Sequence, residues 1–287
     1  MAEVLKGAPV TEALNRETIR MVEGLKGKGI TPTLAIVRIG ENEDDITYEH
    51  SAMKRCEKVG LSAKQVTLPG GCTQEELLSV LHDLNNSSEV HGILLLRPLP
   101  KHMDDDKVRN TISPEKDVDG ITDQSLAGVF TGTSGKGFAP CTAQACMEVL
   151  DHYGIDPKGK RAVVVGRSLV VGKPVAMMLT ARHATVTICH TWTVDMPAIC
   201  RAGEILIVSA GRAKIIGREH LSFGQAVIDV GINVLPDGKL CGDVDFEAAE
   251  ALVAAITPVP GGIGTVTTSV LVRNVAKAAA AQITNKG

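Results

Sequence analysis

The chain has 287 residues, 44% apolar and 22% charged, which excludes a small stapled module and a disordered chain and, at roughly 150 residues per domain, points to two domains. Thirty Lys and Arg against 33 Asp and Glu leave a net charge of −3, and one Trp, two Tyr and four Phe are too few for base-stacking platforms, so nucleic acid is not an expected partner. The seven cysteines (56, 72, 141, 146, 189, 200 and 241) include no Cys-x-x-Cys pair, and an odd count fits a reducing cytoplasm better than a disulfide framework.

Leu14, Ile19, Val22 and Leu25 fall at near-helical spacing over residues 11–26, and Thr33–Arg38 reads as a buried strand. A helix over Tyr48–Val59 ends at Gly60, Lys64–Leu68 is a second strand, and Thr73 with Glu76 forms a capping box opening a helix to Leu84. Val90–Leu96 is a short apolar strand stopped by Pro98-Leu99-Pro100. Residues 104–137 are polar and glycine-rich around Asp117-Val118-Asp119-Gly120, and Cys141–Tyr153 reads as a helix. The domain change is placed near residue 140.

The second half alternates strand and helix: Arg161–Val165, helix Lys173–Arg182, then strands Ala184–Cys189, Ile205–Ser209 and Ala226–Val230. Short apolar strands joined by crossovers predict a parallel sheet. Val266–Thr284 is alanine-rich with helical spacing and is expected to return to the first domain. The uncharged stretch Ala251–Val272 is broken by Pro258, Pro260, Gly261, Gly262 and Gly264, so it reads as a loop and not a membrane span. The N-terminus carries Glu3, Lys6 and Glu12 without an apolar run, and no signal peptide is expected.

Val163–Pro174 (VVVGRSLVVGKP) is a strand, a glycine turn and a helix with proline in its first turn, an arrangement suited to phosphate. Its glycines are six apart, not in G-x-G-x-x-G spacing, and a plain tight turn would use the same residues. The ribose-reading acid of such units falls about 20 residues on, where Cys189-His190-Thr191-Trp192 holds no carboxylate. Arg167 facing a 2′-phosphate would favour NADP over NAD; a solvated turn arginine is the plainer reading. Tyr48 and Asp119 are candidate polar groups, although a helical tyrosine is often core and Asp-Gly often marks a turn. The loop Thr257–Gly264 fixes a backbone that either approaches a ligand or serves as a hinge. The eight histidines lack metal-ligand spacing, so no metal is expected, and no G-x-S-x-G or P-loop sequence is present.

Several blocks taken together resemble the methylenetetrahydrofolate dehydrogenase/cyclohydrolase family, the bifunctional FolD-type enzymes of one-carbon metabolism that serve purine biosynthesis. They are Tyr48 with residues 54–60, Lys116–Gly120, Pro140-Cys141-Thr142, Val165–Pro174, Ala184–His190, Gly242-Asp243-Val244 and Thr257–Gly264. The resemblance implies a homodimer of two-domain α/β chains. An N-terminal α/β folate and catalytic domain (1–139 plus the returning 265–287) would accompany a C-terminal Rossmann-like parallel-sheet nucleotide-binding domain (140–264), with folate between them. It further implies that Gly166, Arg167, Ser168, Thr191 and Ile232 contact NADP, or alternatively NAD. Tyr48, Asp119, Pro260 and Gly261 would contact the tetrahydrofolate substrate, Tyr48 and Asp119 acting in catalysis.

Two departures from the family pattern bear on mechanism. The lysine expected four residues after the tyrosine is Ala52, and Lys54, two residues further on, lies about 200° around the helix from that position. The glutamine that partners that lysine is Leu96, in Gly92-Ile93-Leu94-Leu95-Leu96-Arg97-Pro98. Losing both partners together avoids an unsatisfied buried group. The expectation is a methylenetetrahydrofolate dehydrogenase with weak or absent cyclohydrolase activity. Alternatives are a fully bifunctional enzyme, a two-domain dehydrogenase for a shikimate-like or amino acid substrate, and a non-catalytic folate- and nucleotide-binding protein.

Overall fold

The computed structural model describes residues 1–133 and 137–284, the side chains of 283 and 284 excepted. Residues 134–136 of the polar segment and 285–287 of the returning segment lie outside the described residues. In chain order the elements are β1 (Glu3–Val4), α1 (Gly7–Lys26), β2 (Thr33–Ile39), α2 (Glu43–Val59), β3 (Ser62–Leu68), α3 (Gln74–Asn86) and β4 (Gly92–Leu95). There follow α4 (Asp105–Arg109), α5 (Asp123–Thr131), α6 (Cys141–His152), β5 (Arg161–Val165), α7 (Gly172–Ala181), β6 (Thr185–Cys189), α8 (Met196–Ala202) and β7 (Ile205–Val208). The remainder is β8 (Ala226–Asp229), β9 (Asn233–Val234), β10 (Leu240–Cys241), α9 (Phe246–Glu250), β11 (Ala255–Ile256) and α10 (Ile263–Thr284).

The chain divides into two compact units. One comprises Ala13–Cys141 with the chain from Thr268 on, the other Met1–Glu12 with Thr142–Thr267. The first twelve residues thus depart from the sequence reading, because β1 pairs in parallel with β11 (Glu3 with Ala255, Val4 with Ile256) and so joins the second sheet. The polar, glycine-rich segment contains α4 and α5. They start where Asp104 and Thr122 accept the backbone N–H groups of Lys107 and Ser125 at 3.0 and 3.1 Å. At five and nine residues these helices are too short to print a readable period.

In the first unit a three-stranded parallel sheet has the order β3-β2-β4, so the chain's first strand there is central. Leu34, Ala35, Ile36 and Val37 are accordingly fully buried. Leu77, Leu81 and Leu84, three and four apart on α3, pack with Val37, Ile93, Leu95 and Val108. The capping box is present, with Thr73 N–H donating to Glu76 at 2.7 Å and Glu76 N–H to the Thr73 hydroxyl at 3.2 Å. Helix α2 starts five residues before the sequence reading, at an Asn42 cap whose side chain accepts from Asp44 and Asp45.

In the second unit six parallel strands run in the order β1-β11-β8-β7-β5-β6. From β5 the chain passes to β6 on one side and then returns to β7 on the other. The reversal leaves the carboxyl ends of β5 and β7 as the place where a ligand crevice opens in such sheets.

Candidate active site

In the first unit Tyr48 stands on α2, and Asp119 lies in the turn between α4 and α5. The Arg38 Nε on β2 donates to Glu49 Oε2 at 2.9 Å; Glu49 is 1% exposed and ties α2 to the strand end immediately beside Tyr48. Asp117, the other acid of the turn, serves the fold. Its buried carboxylate accepts from Ile121 and Thr122 N–H (3.0 and 2.8 Å) and from the Ser125 hydroxyl (2.6 Å). Asp119 is thereby held with its own carboxyl free of that turn.

Cys141 Sγ lies 3.2 Å from the Val118 carbonyl oxygen and also hydrogen-bonds the Asp119 carboxylate. Asn274 on α10 donates to that same carbonyl at 2.9 Å and to Cys141 Sγ at 3.7 Å. Burial, reinforced by the Asp117 charge and opposed by Cys141 and Arg97, lifts the Asp119 carboxyl to about 7. Burial together with Asp119 and Cys141 pushes the Tyr48 phenol well above its ordinary value. The Cys141 thiol is pushed up by burial first and Asp119 second. Tyr48 and Cys141 therefore keep their protons at neutral pH, and Asp119 is the member of the trio that changes charge there.

Ala52 is fully buried and Leu96 is 7% exposed. Lys54, by contrast, lies on the exposed face of α2, beside His50, Met53 and Glu57, away from the buried face that carries Ala52. Arg97, next to Leu96, is bound through Nε to Asp105 Oδ1 at 2.7 Å.

In the second unit the loops after β5, β6 and β7 enclose a cavity of about 490 Å³ lined by Val165–Ser168, His190, Thr191, Thr193, Met196, Ser209, Ala210, Arg212 and Ile215. Gly166, Arg167, Ser168 and Thr191 thus meet in one place. The six-residue glycine spacing has a steric origin: a Cβ on Gly172 would stand 2.2 Å from the Gly166 carbonyl oxygen, and one on Gly166 2.2 Å from that of Ser209. Helix α7 begins without a side-chain cap, leaving the positive end of its dipole available to an anion. Ile232 is not among the lining residues; it packs beside Gly264, where a Cβ would lie 3.2 Å from Ile232 Cδ1. Pro260 and Gly261 belong to this same unit, and Gly261 accepts the Gly7 N–H at 2.8 Å. Trp192, between Thr191 and Thr193, is 82% exposed.

The sequence reading did not single out Asn274, Arg212 or Met196. A lone asparagine within an alanine-rich apolar helix was the available signal for Asn274. Nothing in the local pattern marks Arg212 or Met196, which reach the cavity only through the strand order.

Two family models match. Tetrahydrofolate dehydrogenase/cyclohydrolase, catalytic domain, covers residues 5–119, and the NAD(P)-binding domain of the same name covers residues 140–283. Bifunctional protein FolD of Carboxydothermus hydrogenoformans is 48% identical over 280 residues, 97% of each chain. The crystal structure of the bifunctional FolD methylenetetrahydrofolate dehydrogenase/cyclohydrolase from Campylobacter jejuni superposes with a TM-score of 0.96 at 38% identity, over 98% of this chain and 100% of that one. The Trypanosoma brucei methylenetetrahydrofolate dehydrogenase-cyclohydrolase, complexed with NADP and an inhibitor, gives 0.93 at 36% identity over 98% of both.

Asp119 sets a pH-dependent stability of definite sign. Its carboxyl titrates near 7 in the folded chain and near 3.8 in the unfolded one. Its contribution is therefore fully present below about pH 4 and lost as the pH rises through 7. Asp119→Asn, neutral throughout, is expected to raise the melting temperature by several °C more at pH 8, where the folded carboxyl is ionised, than at pH 5, where it still holds its proton. Differential scanning fluorimetry at the two pH values decides the point; an equal shift at both would contradict it.

Proposed function

Because the chain belongs to the tetrahydrofolate dehydrogenase/cyclohydrolase family, we propose that it oxidises 5,10-methylenetetrahydrofolate to 5,10-methenyltetrahydrofolate, the methylene carbon giving a hydride to NADP. The observation that carries this reading is the Gly166–Gly172 turn opening on a cavity formed by three strand ends, in a chain that also holds the Tyr48, Asp119 and Cys141 cluster. A bound nicotinamide supplies the hydride acceptor. Transfer itself calls for two rings held in near-attack geometry and for no side chain that takes or gives a proton. We assign Tyr48 the part of a hydrogen-bond donor to the folate and Asp119 that of an acceptor for its ring N–H groups. Pro260, Gly261 and Ile232 are assigned backbone and apolar contacts with the substrate and the nicotinamide.

The preference for NADP rests on charge. Arg167 and Arg212 line the cavity with Ser168 and Thr191, and no carboxylate is among its described lining residues. A 2′-phosphate gains charge-assisted hydrogen bonds there, whereas an acid at that place would select the free ribose of NAD.

For the second half-reaction, in which water adds to the methenyl carbon and protons move as the ring opens, two observations pull apart. Relatives named bifunctional match over nearly the whole chain, and Asp119 offers a group titrating near neutrality; both favour a retained cyclohydrolase. Against this, the family's lysine and glutamine are the buried apolar Ala52 and Leu96, and the residues thus favour a cyclohydrolase that is weak or absent beside the dehydrogenase. We further infer a homodimer. β3 is a seven-residue edge strand paired only with β2 among the described residues, and an edge of that length is a template for a second copy.

Purified protein given methylenetetrahydrofolate and NADP is expected to accumulate methenyl product that decays at the spontaneous rate. Ala52→Lys with Leu96→Gln should then raise its hydrolysis, by about a hundredfold if the lysine acts as a positioned acid–base group; formyl product above background in the unaltered chain supports the fully bifunctional reading instead. Arg167→Ala is expected to raise KM for NADP about tenfold or more, the worth of one charged hydrogen bond, with turnover on NAD unchanged; equal losses on both nucleotides would remove the 2′-phosphate assignment. Light scattering should return twice the 30.2 kDa of one chain, and a single-chain mass would dispose of the dimer.

A further inference from the structure

Two buried carboxylates in the second unit, Asp229 and Asp243, have no part in the chemistry proposed above. Asp229, at the end of β8, is 3% exposed, and Asp243, after β10, is fully buried. Asp229 accepts from Gly231 N–H (3.0 Å), Asp243 N–H (3.1 Å) and Val244 N–H (2.9 Å). The segment carrying Asp243 is thereby fixed by Asp229. The Asp243 carboxylate in turn receives Ala210 and Gly211 N–H on Oδ2 (2.6 and 2.9 Å), with Arg212 N–H and Asn233 Nδ2 on Oδ1 (both 2.9 Å). Three consecutive backbone donors of the loop after β7 are satisfied by one side chain.

That loop is a wall of the cavity: Ser209, Ala210 and Arg212 line it, and the Ser209 carbonyl packs against Gly166 at the phosphate-type turn. The two acids are packed in without slack. A Cβ on Gly231 would stand 2.2 Å from Asp243 Cγ, and one on Gly242 1.9 Å from Asp229 Oδ2. Among the described residues neither acid has a cationic partner within salt-bridge distance; backbone dipoles carry the charge instead. Burial lifts the Asp229 carboxyl to about 7 against those N–H groups, as expected of a group kept dry by its packing.

We propose that Asp243, itself anchored by Asp229, is a positioning residue for the dinucleotide: its carboxylate sets the backbone of residues 209–212 against the Gly166 turn and so preforms the nucleotide cavity. The proposal rests on the reading of that cavity as the NAD(P) site. A carboxylate is required because both of its oxygens accept; asparagine would turn an amide N–H₂ toward N–H donors.

The test uses Asp243→Asn in the full chain, with steady-state kinetics and amide hydrogen exchange. The Ala210, Gly211 and Arg212 amides are expected to exchange faster, and KM for NADP to rise about tenfold while kcat at saturating cofactor stays within about threefold, the split of lost ground-state binding. Amides as slow as in the unaltered chain, or faster amides with an unchanged KM, would overturn it. If that variant does not fold, Asn233→Ala removes one of the four donors and leaves the carboxylate in place. A rise of about threefold in KM is then expected, and an unchanged KM counts against the proposal. Should the unaltered protein bind neither NADP nor NAD, the functional reading falls, while the exchange comparison still decides whether Asp243 holds the loop.

Discussion

Buried carboxylates that bond to backbone N–H groups are the constraint on which both units depend. A parallel sheet delivers its ligand-facing loops at the carboxyl ends of its strands, where the chain leaves the ladder and its amides lose their partners. In the second unit Asp243 gathers three successive amides after β7, and Asp229 fixes the backbone of Asp243. In the first unit Asp117 does the same for Ile121 and Thr122 and aligns Ser125 at the start of α5. An apolar residue at any of these three positions would leave donors dry and unpaired, at about 1–3 kcal/mol each.

This arrangement also separates duties between neighbouring acids. Asp117 and Asp119 are two residues apart in one turn, yet one is spent on hydrogen bonds of the turn and the other is left with a thiol, Cys141, as its hydrogen-bonding side chain. Burial makes the charge on Asp119 costly, and so Asp119 titrates near 7. The local sequence Asp-Val-Asp-Gly holds both roles without distinguishing them.

Much of the fold was legible because its strands are short, apolar and regularly spaced, and β2, β5, β7 and β8 emerge close to their expected bounds. What was illegible depends on partners far away in the chain. β1 is two residues long and has a place only because Ala255 and Ile256 present a sheet edge to it. Gly166, Arg167, Ser168 and Thr191 could be proposed from a turn and a strand end, and they do line one cavity. Arg212 could not, since it reaches that cavity through the crossing from β6 back to β7, which no local pattern announces. Lys54 illustrates the value of periodicity: the angle that sets it apart from position 52 in the sequence corresponds to an exposed position on α2 while Ala52 is buried.

Ala52 and Leu96 are best understood as a pair. A lysine at 52 facing a leucine at 96 would leave an ammonium without its amide partner in a buried place, and a glutamine at 96 facing alanine would leave an amide likewise unsatisfied. Each single change is thus costly, while the double change is close to neutral for folding. In the proposed reading the cost falls instead on chemistry that needs a movable proton. Hydride transfer requires geometry and no side chain that titrates. A site of this kind can lose its lysine and keep its rings in register, and the two half-reactions become separable through a substitution that stability alone would tolerate.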